Sequence, residues 1–143
     1  MEAMAVATKP GAASEAWELC MELFGEQRPR MLDIQAEYGL KPPQFFALQA
    51  LDSPVPMSSV AHVLRCDRSA VTWITDRLEE RGYVERLADP ADRRVKLLAL
   101  TAEGKRVRDE IRARLAVPPD ALARLSRAEQ RTLRDLLRKA LAL

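Results

Sequence analysis

The chain has 143 residues, 48% hydrophobic and 31% charged, with a formal net charge of +2. That length fits one domain, and the balance is that of a globular chain rather than a disordered or fibrous one. No apolar run approaches the roughly 18–20 residues that a membrane span requires, and the acidic start Met1-Glu2-Ala3-Met4 lacks the basic region of a signal peptide, so a cytoplasmic protein without membrane contact is expected.

Chemistry-bearing residues are scarce. The chain holds two cysteines, Cys20 and Cys66, and one histidine, His62. A structural zinc site normally takes four Cys/His ligands, close-spaced in pairs. CxxC, GxSxG, P-loop and GxGxxG patterns are all missing. The expectation is therefore no enzyme, no metal and no cofactor. Charge is spread unevenly: residues 1–64 carry four basic against eight acidic groups, residues 97–143 eleven against six. Of the 23 basic residues 18 are arginine, whose fork of donors suits phosphates and guanine edges. A GC-rich genome would produce the same bias.

Residues 1–13 are small, contain Pro10-Gly11, and read as a flexible arm. From Ser14 the spacing turns helical: Trp17, Cys20/Met21, Phe24, Met31, Ile34/Gln35 and Tyr38 recur on one face, which predicts an amphipathic helix ending at Gly39. Gly25 and Pro29 inside it predict a kink or break near 25–29. Pro42-Pro43 open a second helix with Phe45, Leu48 and Leu51 inward, closed by Asp52-Ser53-Pro54. A third helix reads over 58–65, with Val60, Ala61 and Leu64 inward. A fourth, capped by Asp67, carries Val71, Ile74 and Leu78 and stops at Gly82. The period then changes to that of two strands, 83–87 and 95–100, around a turn-rich 88–94. Thr101 caps a fifth helix with Val107, Ile111 and Leu115 at spacing four, broken by Pro118-Pro119. Ser126-Arg127-Ala128-Glu129 is a capping box opening a last helix rich in leucine.

Two short helices, a tight turn and a hairpin, in that order, describe a winged helix-turn-helix. Ala61 supplies the small residue at the helix crossing, and Val71 and Ile74 follow ten and thirteen positions later. Arg65 stands where such turns prefer glycine for its positive φ. The outward face of the second helix is Arg68, Ser69, Thr72, Trp73, Asp76 and Arg77. Arg68 and Arg77 suit phosphates, while Ser69 and Thr72 suit base edges. Any solvated helix shows a polar face; an outward indole, Trp73, sets this one apart.

The segment AHVLRCDRSAVTWITDRLEERG (61–82), its continuation YVERLADPADRRVKLLALT and the start Thr101-Ala102-Glu103-Gly104 resemble the MarR (multiple-antibiotic-resistance regulator) family. The resemblance implies a mainly α fold with a small β-hairpin wing, dimerised through its N- and C-terminal helices. It divides the chain into an arm (1–13), a dimerisation region (14–40 and 102–143) and a DNA-binding lobe (41–101). It implies a homodimeric transcription regulator, commonly a repressor, on a pseudo-palindromic operator in double-stranded DNA. Asp92, Arg93 and Arg94 match the wing motif, with Arg94 entering the minor groove and Asp92 bracing its guanidinium. Position 73 is often arginine in the family; Trp73 cannot make a bidentate guanine contact, so readout would lean more on shape.

Many family members release DNA on binding small aromatic ligands. Trp17, Tyr38, Phe45, Phe46 and His62 are the residues expected to line such a site, in a cleft between the dimerisation helices and the lobe. Cys20 falls where a peroxide-sensing branch carries its reactive cysteine, but Phe24 stands where that branch has a hydroxyl. Cys20 thus reads as a small buried hydrophobe, with oxidant sensing as the alternative. A winged-helix module that binds protein rather than nucleic acid is the rival from another class.

Overall fold

The computed structural model describes residues 11–143, which divide into two compact units: the chain up to Pro29 together with Pro118–Leu143, and Arg30–Val117. The expected arm falls outside the described residues as far as residue 10, and Ala12 and Ala13 are already helical.

Helix α1, Ala12–Glu37, belongs to both units and stays helical through Pro29; of the kink or break predicted near 25–29, the break does not occur. A proline ring removes one donor and presses on the carbonyl four residues back. That residue is Gly25, free of side-chain restriction, so its peptide can tilt while the helix continues. The end of α1 follows the prediction. Gly39 adopts φ +60, its N–H bonds Ala36 O at 3.0 Å, and Leu40 N–H bonds Gln35 O at 2.8 Å. Both bonds satisfy carbonyls that the last turn leaves open.

The rest of the Arg30–Val117 unit follows in order: α2 (Pro42–Ala50), β1 (Val55–Pro56), a single 3-10 turn (Met57–Ser59), α3 (Val60–Leu64), α4 (Arg68–Glu80), β2 (Val84–Ala88), β3 (Lys96–Leu100) and α5 (Ala102–Leu115). Its core is continuous, joining Ile34 of α1, Phe45, Leu48 and Leu51 of the α2 region, Val60, Ile74 and Leu78 of α3 and α4, Leu98 of β3, and Val107 and Ile111 of α5. All the apolar positions predicted to face inward on α2, α4 and α5 are buried or packed on this core. Arg108 and Arg112 of α5 donate to the Leu51 and Gln49 carbonyls at 2.8 and 2.6 Å, placing positive charge where the end of α2 carries partial negative charge.

The wing is not a simple two-stranded hairpin. β1 adds a third strand, in the order β1-β3-β2, with Val55 opposite Leu98 and Pro56 opposite Leu97. β1 is two residues long and contains a proline, which an edge strand tolerates because its N–H side can face away from the ladder. Periodicity has nothing to register in two residues.

Gly104 fixes how α5 leaves the sheet. The helix is capped by Thr101, whose Oγ accepts the Gly104 N–H at 2.9 Å, and Thr101 N–H bonds the Tyr83 carbonyl at 3.1 Å. Gly104 then lies so close over Tyr83 that a Cβ would stand 1.9 Å from that carbonyl oxygen.

The other unit comprises the first half of α1, a 3-10 turn at Asp120–Arg124 that the sequence does not signal, and α6 (Arg127–Leu141). The predicted capping box opens α6: Ser126 N–H donates to Glu129 Oε2 at 2.8 Å and Glu129 N–H to Ser126 Oγ at 3.3 Å. No described side chain of this unit is buried. Leu122, Leu133, Leu137, Leu141 and Leu143 line an open apolar groove of about 300 Å³.

Candidate nucleic-acid interface

The turn between α3 and α4 has the geometry that the sequence position demands. Arg65 occupies the left-handed region at φ 50, ψ 46. Its N–H bonds His62 O at 3.2 Å and Cys66 N–H bonds Ala61 O at 3.0 Å, the same pair of bonds that Gly39 organises at the end of α1. An L-residue with a Cβ is strained there by about 1–2 kcal/mol. Arg65→Gly is therefore expected to raise stability by roughly 1 kcal/mol after the extra freedom of glycine in the unfolded chain is subtracted. Thermal melting measures it, and an unchanged or lowered Tm would show that the arginine side chain compensates.

Asp67 stands at the start of α4 with extended backbone, but its carboxylate makes no capping bond; Ala70 N–H bonds Asp67 O instead. Val71, Ile74, Thr75 and Leu78 face the core, which leaves Arg68, Ser69, Thr72, Trp73 and Arg77 exposed on the outer face, Trp73 at 43%. Trp73 borders a cavity of about 440 Å³ with Lys41 and Gln44 from the start of α2 and with Arg77 and Arg81.

A brace behind this face has no sequence signature. Arg86 of β2 reaches α4, bonding Asp76 at 2.5 Å, Glu79 at 3.0 Å and Thr75 Oγ at 3.0 Å. Thr75, fully buried, donates its hydroxyl hydrogen bond to the Val71 carbonyl at 2.8 Å. The bond to Asp76 raises the Arg86 pKa, so the brace stays charged at any physiological pH. Arg77 in turn pairs with Glu80 at 2.8 Å. All three carboxylates of α4 are thus neutralised by arginine. The pairs are more than a third exposed, so each is worth little by itself. Arg86→Met is expected to cost about 1 kcal/mol, mostly from the orphaned Thr75 contact and the repulsion between Asp76 and Glu79, read as a Tm lower by a few degrees.

The tip between β2 and β3 is closed by its own polar groups. Asp89 N–H bonds Val95 O at 2.9 Å, and the Asp89 carboxylate accepts the Ala91 N–H at 2.8 Å. Asp92 Oδ1 accepts from the backbone N–H of Arg94 at 3.0 Å. The bracing expected of Asp92 therefore acts on the Arg94 backbone rather than its guanidinium. Arg93 and Arg94 are exposed, and among the described residues their guanidinium groups, like that of Arg68, have no acidic partner.

The residues expected to line an effector site fall in different places. Phe45 is 1% exposed and belongs to the core; Phe46 meets it edge-on at 5.5 Å and is exposed. His62 is exposed on α3, beside Arg65, Cys66 and Asp67 of the turn that follows. Tyr38 donates its hydroxyl to Glu110 at 2.9 Å, and burial together with that bond pushes its pKa up. Trp17 lies in the other unit, 65% exposed. Cys20, expected to be a buried hydrophobe, is exposed beside it, because α1 runs uncovered there. Two buried side-chain nitrogens, Gln35 Nε2 on α1 and Gln49 Nε2 on α2, have no hydrogen-bond acceptor among the described residues.

A short helix, a turn with its left-handed residue, an exposed second helix and a wing with unpaired arginines define a winged helix-turn-helix protein. Comparison with known proteins agrees. The profile of the MarR family matches residues 40–96. The repressor MdtR of Bacillus subtilis is 37% identical over 84 residues, 57% of this chain and 54% of MdtR. The chain spans about half the length of this and several other curated relatives. The transcriptional repressor MprA of Escherichia coli K12 is 31% identical over 137 residues, covering 87% of this chain and 73% of MprA. Among solved structures, NadR in complex with 4-hydroxyphenylacetate superposes with a TM-score of 0.64 at 25% identity, over 96% of this chain and 97% of NadR. The chain belongs to the MarR family, a family of transcription regulators and not of enzymes. Among the described residues no helix is long and apolar enough to cross a membrane.

Proposed function

We propose that this protein is a homodimeric, sequence-specific DNA-binding repressor that a small aromatic ligand releases from its operator. The observation that carries DNA binding is the division of charge on the lobe. The carboxylates of α4 are held by Arg86 and Arg77, while Arg68, Arg93 and Arg94 stay exposed without acidic partners among the described residues. A surface meeting phosphates gains from that division, since repulsion is quenched and cations are left free. The N-terminal half of α4, with Ser69, Thr72 and Trp73, would read base edges in the major groove, and Arg94 would enter the minor groove beside it.

Dimerisation is supported by the unit in which no described side chain is buried. Trp17, Phe24, Leu136 and Leu141 are each about 60% exposed or more, and large apolar side chains exposed together mark interaction surfaces. A two-fold pairing would cover it and set two recognition helices about one DNA turn, roughly 34 Å, apart. The effector reading rests on NadR, whose structure holds 4-hydroxyphenylacetate, and on the unmet donor of Gln35, which a carboxylate could satisfy.

The test is fluorescence anisotropy with DNA from the protein's own upstream region, repeated with excess unrelated DNA and then with aromatic carboxylates. Binding that survives competitor and is lost on titration of the acid supports the whole reading. Equal affinity for all sequences would refute operator recognition. Saturable acid binding, seen by tryptophan fluorescence, that leaves operator affinity unchanged would refute the effector alone.

A further inference from the structure

The cavity of about 440 Å³ beside the outer face of α4 is lined by charge from two parts of the lobe: Arg77, Glu80 and Arg81 from α4 and its end, and Lys41 from the start of α2. Glu80 is held by Arg77 at 2.8 Å. Lys41 and Arg81 are exposed and have no acidic partner among the described residues. Arg81 is nevertheless held in place. Its Nη1 donates to the Tyr38 carbonyl at 2.9 Å, and its guanidinium lies so close over the turn after α1 that a Cβ on Gly39 would stand 2.5 Å from Nη2. A guanidinium carries five N–H donors, so one bond to Tyr38 leaves others to offer. An oriented arginine and an unpaired lysine thus border one cavity, with the half-exposed indole of Trp73 as a further wall.

We propose that this cavity seats one phosphate group of the DNA backbone, with Lys41 and Arg81 as its cations. The inference rests on the DNA-binding reading given above and extends that interface from α4 and the wing to the corner between α1 and α2. Three cations against one carboxylate leave the cavity net positive. Helix starts often hold anions through backbone N–H groups, but Pro42 and Pro43 have none, so here the charge comes from side chains. Walls that are charged or polar apart from one indole do not suit an aromatic effector, whose sites are mostly apolar. A phosphodiester fits them: its oxygens take charge-assisted bonds from the two cations, and the sugar beside it packs on the indole. Such a contact carries no sequence information; it fixes the register in which α4 meets the bases.

Two variants of the full chain test this. Lys41→Met removes a cation whose loss breaks no ion pair among the described residues, and Arg81→Met removes the oriented one, with circular dichroism to confirm the fold. Anisotropy titrations over a salt series should show each variant weakened several-fold, by the same factor for every operator in a panel, with a slope of log K against log salt lower by about one unit per lobe. The contact is then located by replacing the backbone phosphates of the operator one at a time with neutral methylphosphonate. Wild type should lose affinity at one position in each half-site where Lys41→Met loses nothing further, because the partner is already gone. Variants that bind every operator like wild type would overturn the proposal, as would a loss that is additive with every methylphosphonate, since that reports only a change in overall charge. The free source of the same chemistry is tested with inorganic phosphate and a nucleoside monophosphate on a Trp17→Phe chain, which leaves Trp73 as its one tryptophan. Saturable quenching that Lys41→Met abolishes, without any coupled position in the DNA, would overturn the backbone assignment in favour of a free phosphate ligand. A wild-type chain that binds no DNA at any salt concentration would instead remove the DNA-binding reading itself.

Discussion

Alanine at Gly104 should cost this protein about 3 kcal/mol, the upper end of what an inserted methyl costs in a packed site, lowering Tm by roughly 10 °C for a chain this long. The added Cβ would stand 1.9 Å from the Tyr83 carbonyl oxygen, a distance no real contact reaches. The obstacle is main chain, so a rotamer change cannot relieve it. Either the start of α5 lifts, breaking the Thr101 N–H bond to Tyr83 and the cap on Gly104, or β2 shifts at the base of the wing. Differential scanning calorimetry measures the loss. A Tm within a degree of wild type would mean that α5 leaves the sheet by another path.

Arg94→Ala is expected to weaken operator binding tenfold or more, most where A·T-rich flanks narrow the minor groove, while leaving Tm unchanged. The side chain is exposed and its guanidinium has no acidic partner among the described residues, so nothing in the fold depends on it. The slope of log K against log salt should fall by about one unit for each wing that loses its cation. Trp73→Ala should behave differently. It removes no charge, so the salt slope should hold while the order of preferred operators changes, by roughly 1–3 kcal/mol at each base step affected. Anisotropy titrations over a salt series with a small operator panel separate the two. Unchanged affinity of Arg94→Ala for every sequence would remove the wing from the interface.

The helices were legible because each announces itself locally. Val107, Ile111 and Leu115 repeat at the helical period, Ser126 and Glu129 form a cap that needs no tertiary context, and Gly39 and Gly82 stand where a chain must turn left-handed. Arg65 shows the same demand in negative: the position calls for glycine, and the backbone takes φ 50 anyway because the crossing of α3 and α4 requires it. What stayed hidden is what only a folded chain brings together. Arg86, ten residues after Asp76, has no periodic relation to it, and only the turn at Gly82 folds β2 back along α4. Cys20, Trp17, Met21 and Phe24 read as a core stripe because apolar spacing reports that a face is covered, not whether the cover comes from the same chain.

The short strand β1 has a mechanical consequence. It leads without a linker into the 3-10 turn and α3, and it pairs with β3, the strand that carries the far side of the wing. Arg86 ties the near side of the wing to α4. The two elements offered to DNA are thus clamped to each other from both sides, by a ladder at one end and a charged brace at the other. A printing die has this property: its raised features cannot be respaced, only the whole block moved. In the homodimer proposed above, a ligand that released this protein from its operator would have little to gain by bending the lobe and everything to gain by shifting one lobe against the other.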